Sequence, residues 1–77
     1  MNPSDAWQAA IGQLQMDMSK ASFDTWVRNT ELVKYDQGVF TIGVSNAYAR
    51  DWLESRLTAT ITRILSGYVE ETEKVEF

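Results

Sequence analysis

The residue types behind most acid–base, thiol and metal chemistry in proteins are missing from this sequence. It contains no histidine and no cysteine, so the commonest general base, transition-metal ligand and thiol nucleophile are all absent. Four carboxylates, Glu70, Glu71, Glu73 and Glu76, cluster near the end. A solvated acidic face is a far better interpretation of that cluster than a catalytic or metal site. The sequence therefore predicts no enzyme activity, no metal and no cofactor.

The glycines do not form a phosphate-binding loop. Their positions match neither GxxxxGK[ST] nor GxGxxG, so the sequence does not encode ATP chemistry. Nor do they give the GxxG loop with which RNA-binding KH domains clamp a nucleic-acid backbone. The formal net charge of −4 is also a poor match for phosphates. These features favour a protein over a nucleotide or nucleic acid as the main ligand.

Aromatic side chains are the remaining candidates for a binding role. Trp26 is expected to anchor the core. Trp7 lies on an apolar stripe but close to the chain start, so a half-buried core residue and a self-association contact are equally good interpretations. Tyr48 is expected in the first turn of a helix, away from the core. Trp52 and Arg56 lie four residues apart, which predicts a cation–π pair.

Hydrophobic periodicity predicts three helices that position these side chains. Their expected bounds are about Asp5–Asp17, Lys20–Arg28 and Asn46–Tyr68. Ser4, Ser19 and Asn46 are the expected N-caps, because their side-chain oxygens can accept from free backbone N–H groups. Gly67 is expected to end the third helix, and Gly12 to mark a close approach by another segment.

Alternating and β-branched residues predict a small sheet. Glu31–Tyr35 and Val39–Val44 form a hairpin around the turn Asp36-Gln37-Gly38, and Lys74–Phe77 is expected as a third strand at its edge. The resulting order is ααββαβ. It predicts a compact, two-layer α+β domain, KH-like in its arrangement, in which the sheet packs against three helices. All 77 residues are expected to form this one domain.

Three blocks of the sequence resemble the N-terminal domain of the bacterial chromosomal replication initiator DnaA. They read WQAAIGQLQ, SKASFDTWVRNTE and SNAYARDWLESRL, and the resemblance extends from about Ala6 to Phe77. SFDTW and ARDWLESR are its most specific parts. Ser45 departs from the family, which usually has a proline before the asparagine that starts this helix.

The resemblance implies a role for several residues. In that family the domain is not an enzyme; it mediates weak self-association, helps to recruit the replicative DNA helicase and docks regulators. Trp7 then corresponds to a self-association tryptophan, with Ile11 on the same stripe. Tyr48 corresponds to an aromatic residue that contacts the helicase, and Ser22 stands where some members have a glutamate serving that contact. The regulator-docking patch corresponds to Thr25, Trp26, Asn46, Tyr48 and Ala49.

Two other functions remain compatible with the sequence. One is weak binding of single-stranded nucleic acid on a KH-like scaffold, with Arg28, Lys34, Arg50 and Arg56 as its cations. Such binding should weaken steeply as salt rises, whereas an apolar docking patch should not. The other is a stand-alone adaptor that carries this domain. The N-terminus lacks the pattern of a signal peptide and no apolar run is long enough to cross a bilayer, so a cytoplasmic protein without membrane contact is expected.

Overall fold

A computed structural model describes all residues, Met1–Phe77, and contains four helices and three strands. The α+β class expected from the sequence is confirmed. In chain order the elements are α1 (Pro3–Asp17), α2 (Lys20–Ser22), β1 (Glu31–Asp36), β2 (Val39–Gly43), α3 (Ala47–Arg56), α4 (Thr58–Tyr68) and β3 (Lys74–Glu76). α2 continues directly as a five-residue π-helix, Phe23–Val27, which we call the π-turn.

β2 is the central strand of the sheet. It pairs with β1 in antiparallel fashion and with β3 in parallel fashion, so the strand order is β1-β2-β3. Phe40 and Ile42 alternate along β2 and are 0% and 2% exposed, which marks the face covered by the helices. The predicted hairpin and third strand are therefore confirmed, each within one residue of the expected bounds.

A β-bulge in β1 keeps two large side chains on the covered face of the sheet. The register shifts between Leu32 and Lys34, so that Leu32 pairs with Ile42 while Tyr35 pairs with Phe40. Strict alternation would place Leu32 and Tyr35 on opposite faces, because they are three residues apart. Val33 is the extra, unpaired residue of the bulge, and its insertion places Leu32 and Tyr35 on the same face. Tyr35 then meets the Phe40 ring edge-on, with ring centroids 4.8 Å apart.

The hairpin turn also holds the C-terminal strand. Gln37 and Gly38 both have positive φ, 46° and 87°, as a tight two-residue hairpin requires. The carbonyl oxygen of Gly38 accepts backbone N–H groups from Glu73 at 2.8 Å and Lys74 at 3.2 Å. The turn at which β1 becomes β2 is therefore the point where β3 joins the sheet.

Two predictions about the first helix are wrong. α1 begins at Pro3, and its N-cap is Asn2 rather than Ser4: the Asn2 side chain accepts from the Asp5 backbone N–H at 2.8 Å. Proline suits the first helical position because the N–H it lacks would have no intrahelical partner there. Gly12 marks no close approach, since no atom lies within 4 Å of where its Cβ would be.

The predicted long helix is broken at Leu57. This residue has φ −118° and ψ −3° and separates α3 from α4. On a straight helix, Leu53 and Ile61 would point about 80° apart, whereas the break lets both be 1% exposed. The hydroxyl of Thr58 donates to the Glu54 carbonyl at 2.7 Å, a type of bond that bends helices. Gly67 does not end the helix, because α4 continues to Tyr68.

Trp7 lies at the centre of the core, against the expectation that a residue so near the chain start is hard to cover. Its side chain is 1% exposed. α1 packs against α4, β1 and the π-turn, and these later segments cover its apolar stripe. The indole Nε1 is buried without a hydrogen-bond partner. The Trp7 ring is therefore not at the surface of this fold, and a second copy of the domain cannot contact it directly.

Candidate docking site

Two tryptophans join the π-turn to α3. The rings of Trp26 and Trp52 are stacked, with centroids 5.0 Å apart and an interplanar angle of 7°. Both are only half-buried. Trp26 therefore does connect its helical segment to the helix that follows the hairpin, as expected, but it does so at the rim of the core. The neighbouring Phe23 and Val27 supply the buried part of this contact, at 4% and 1% exposure.

Tyr48, Trp52 and Arg56 form a row along α3. Residues four apart lie on the same helix face, so the three side chains follow one another on one side. Tyr48 is 82% exposed, which confirms that it points away from the core. The guanidinium carbon of Arg56 lies 5.6 Å from the Trp52 ring centroid, which confirms the predicted cation–π pair.

We use the name aromatic patch for Trp26, Tyr48 and Trp52 together with the polar residues Ser22, Thr25 and Asn46 beside them. Ser22 and Thr25 precede Trp26 by four and one positions. Thr25 donates its hydroxyl to the Ala21 carbonyl at 2.8 Å. Asn46 is the N-cap of α3 and accepts from the Ala49 backbone N–H at 2.8 Å, as the sequence predicted. The aromatic patch thus combines stacked rings with an uncharged polar rim.

Ala49 lies beside this surface without contributing to it. It is 4% exposed, because the side of α3 that carries Ala49 and Leu53 faces the core. The expectation that Ala49 itself offers a contact is therefore not supported by its burial. On α1, Ile11 is half-buried and packs against the edge of the core, so part of its side chain remains accessible where that of Trp7 does not.

The charged residues beside Trp26 are already paired. Asp24 receives Lys20 Nζ at 2.7 Å and Arg28 Nη2 at 2.7 Å. The hydrogen bond from Lys20, followed by that from Arg28, lowers the pKa of the Asp24 carboxyl below its ordinary value. The three groups form two consecutive ion pairs along the whole Lys20–Arg28 segment, because each is four residues from the next.

The four cations proposed for nucleic-acid binding do not form a free basic surface. Arg28 is engaged by Asp24, and Arg50 Nε lies 3.7 Å from an Asp51 carboxylate oxygen. Lys34 lies on β1, at the sheet edge, whereas Arg50 and Arg56 lie on α3. A phosphate backbone would have to compete with carboxylates for two of these side chains.

Trp52 is a candidate docking residue that the sequence does not identify. The sequence predicts it only as a partner of Arg56, yet it also stacks on Trp26 and lies one turn from Tyr48. The four-residue spacing of Tyr48, Trp52 and Arg56 was a visible signal. That Trp26 meets this row depends on how the π-turn packs on α3, and local spacing does not encode that packing.

The surface also contains a groove that no residue of the aromatic patch lines. This groove of about 450 Å³ runs between the end of α3 and β3, lined by Glu54, Thr58 and the four residues Lys74–Phe77. It lies away from the aromatic residues of the patch. None of the helices combines the length and the apolar character that crossing a membrane requires.

The fold and the aromatic patch together define a small α+β domain with an exposed aromatic surface. The sequence profile of the DnaA N-terminal domain matches residues 4–67. Since this match covers most of the 77 residues, the chain belongs to the DnaA N-terminal domain family. Membership places it among the proteins of DNA replication initiation.

Proposed function

We propose that residues 1–77 form the protein-docking domain of a bacterial replication initiator and that the aromatic patch binds the replicative DNA helicase. Regulators of initiation would compete for the same surface. The domain carries no catalytic step of its own in this proposal, and it acts in the cytoplasm, where the bacterial chromosome is replicated.

The observation that carries the proposal is the exposure of Tyr48 next to a preformed aromatic stack. A large aromatic ring that is 82% exposed contributes little to the stability of the free domain. A partner that buries this ring can therefore gain binding energy from it. Binding energy at interfaces concentrates in such aromatic residues, while their neighbours exclude water. Because Trp26 and Trp52 are already stacked, little side-chain entropy is lost when a partner covers them.

Replacing Tyr48 by alanine tests this proposal. We expect Tyr48→Ala to weaken binding of the cognate helicase by about 2 kcal/mol, because the ring would be central to the interface. The melting temperature should hardly change, since an exposed ring contributes little to folding. Titration calorimetry and a thermal melt on the same preparation measure both quantities.

The matched control for this prediction is Met16→Ala. Met16 is an apolar side chain with a similar exposure, 86%, but it lies at the end of α1, outside the aromatic patch. It should leave both quantities unchanged. Unaltered helicase affinity in Tyr48→Ala would remove the aromatic patch as the helicase site.

We also propose that the domain self-associates weakly through α1. Ile11 is the contact residue in this proposal, and Trp7 has an indirect role from within the core. Ile11 is half-buried and lies one helical turn from Trp7. Trp7 would act by holding α1 in place, because its own ring is covered.

An Ile11→Gln variant should therefore lower the dimer population at high protein concentration, because it places a polar group in the contact. Sedimentation equilibrium measures this population, and Met16→Gln on the same helix is the control. A parent domain that stays monomeric at millimolar concentration would contradict self-association.

A further inference from the structure

Basic side chains are more frequent than acidic ones in the two segments that carry most of the aromatic patch. The segments Lys20–Arg28 and Ala47–Arg56 contain four of the seven basic residues and three of the eleven acidic ones. The net charge of the two segments that carry most of the patch is therefore slightly positive. The negative charge of the chain lies elsewhere, chiefly in the C-terminal segment.

Arg56 differs from the other basic residues of these two segments. Lys20, Arg28 and Arg50 each have a carboxylate partner, whereas Arg56 takes part in none of the ion pairs of the structure and is exposed. Its guanidinium is held over the Trp52 ring instead, 5.6 Å from the centroid. A guanidinium stacked on an aromatic face keeps its N–H donors available at the ring edge.

We propose that Arg56 is a carboxylate anchor at one end of the aromatic patch, so that the helicase docks through an acidic, amphipathic segment. This inference rests on the proposed function and adds the chemistry of the partner. An apolar side chain of that segment covers Tyr48, and an Asp or Glu side chain reaches Arg56. Because Tyr48 and Arg56 are eight residues apart, about 12 Å along α3, a partner helix parallel to α3 would carry these two residues about two turns apart.

The charge distribution supports an acidic partner over other occupants. A second copy of this chain would bring an Arg56 of its own to a surface that is already slightly positive. Bidentate pairing between a guanidinium and a carboxylate is directional and strong, and the Trp52 ring covers one side of the Arg56 guanidinium. A basic partner segment would face Arg56, which has no carboxylate partner in the domain.

The test compares Arg56→Gln with Arg63→Gln in titrations against the cognate helicase. Arg63 is the matched control: it is an exposed arginine on α4 that also takes part in no ion pair. We expect Arg56→Gln to weaken binding at least about tenfold, as for a lost hydrogen bond to a charged group. It should also reduce the salt dependence of the affinity. Arg63→Gln should change neither, and melts of both variants exclude misfolding.

A second measurement identifies the partner's carboxylate directly. In an Arg56→Lys variant, carbodiimide should couple the new amine to a helicase Asp or Glu with loss of water, and an Arg63→Lys variant should give no such product.

Unchanged affinity in Arg56→Gln, alongside a loss in Tyr48→Ala, would overturn the carboxylate anchor and leave the helicase site standing. Equal losses in Arg56→Gln and Arg63→Gln would also overturn the anchor, because they would indicate a general field effect. If neither Tyr48→Ala nor Arg56→Gln weakens binding, the proposed function fails and the anchor with it.

Discussion

Trp7→Ala is expected to destabilise the domain by about 3–5 kcal/mol, the range for large aromatic truncations in a core. The ring is 1% exposed and belongs to a core cluster of fourteen buried residues. Total stability of small domains is about 5–15 kcal/mol, so the variant should be close to unfolding at ambient temperature. Urea denaturation, or a thermal melt where the variant still folds, measures the loss.

Two variants separate the possible causes of that loss. Trp7→Phe keeps most of the apolar ring and removes the Nε1–H group, which has no partner, so it should cost far less than alanine. Tyr48→Ala removes a ring of comparable size from an exposed position and should leave stability nearly unchanged. A Trp7→Ala domain as stable as the parent would contradict the burial of this ring. The expected loss also means that a weaker dimer in Trp7→Ala cannot by itself assign Trp7 to an interface.

Gly38→Ala is the second substitution with a large expected effect. At φ +87° an alanine is strained, by about 1–2 kcal/mol. Its Cβ would also collide with the backbone carbonyl oxygen of Glu71 and lie 3.0 Å from Glu73 Cγ. Relieving that contact moves β3 away and weakens the bonds that Glu73 and Lys74 donate to the Gly38 carbonyl, each worth about 1 kcal/mol. A total loss of about 3 kcal/mol follows from these contributions.

Gly67→Ala is the matched control, because this glycine lies inside α4 with open space around its Cβ position. It should stabilise the domain by about 0.5–1 kcal/mol through reduced chain entropy. Hydrogen exchange gives a local test of the mechanism, since the amides of Glu73 and Lys74 should lose protection in Gly38→Ala before the rest of the sheet does. Stability equal to that of the parent, with those amides still protected, would show that β3 is not held through Gly38.

Local chemistry determined much of this domain. The absence of histidine and cysteine excluded the commonest catalytic side chains, and the periodic apolar residues located most of the helices and strands. Ser19 and Asn46 are predictable as caps, because a capping side chain bonds to a backbone N–H only three residues ahead. The exposure of Tyr48 and the Arg56–Trp52 pair also followed from spacing along one helix.

The remaining features depend on how segments distant in the sequence pack together. Trp7 is buried because α4 and β1, distant in the sequence, pack over α1. The break at Leu57 and the bulge at Val33 both turn large apolar side chains towards one common core, and a periodicity calculation on a single segment contains no information about that direction. The Trp26–Trp52 stack forms for the same reason. Its two rings lie 26 positions apart, and they meet only because the hairpin between them folds back and brings the π-turn against α3.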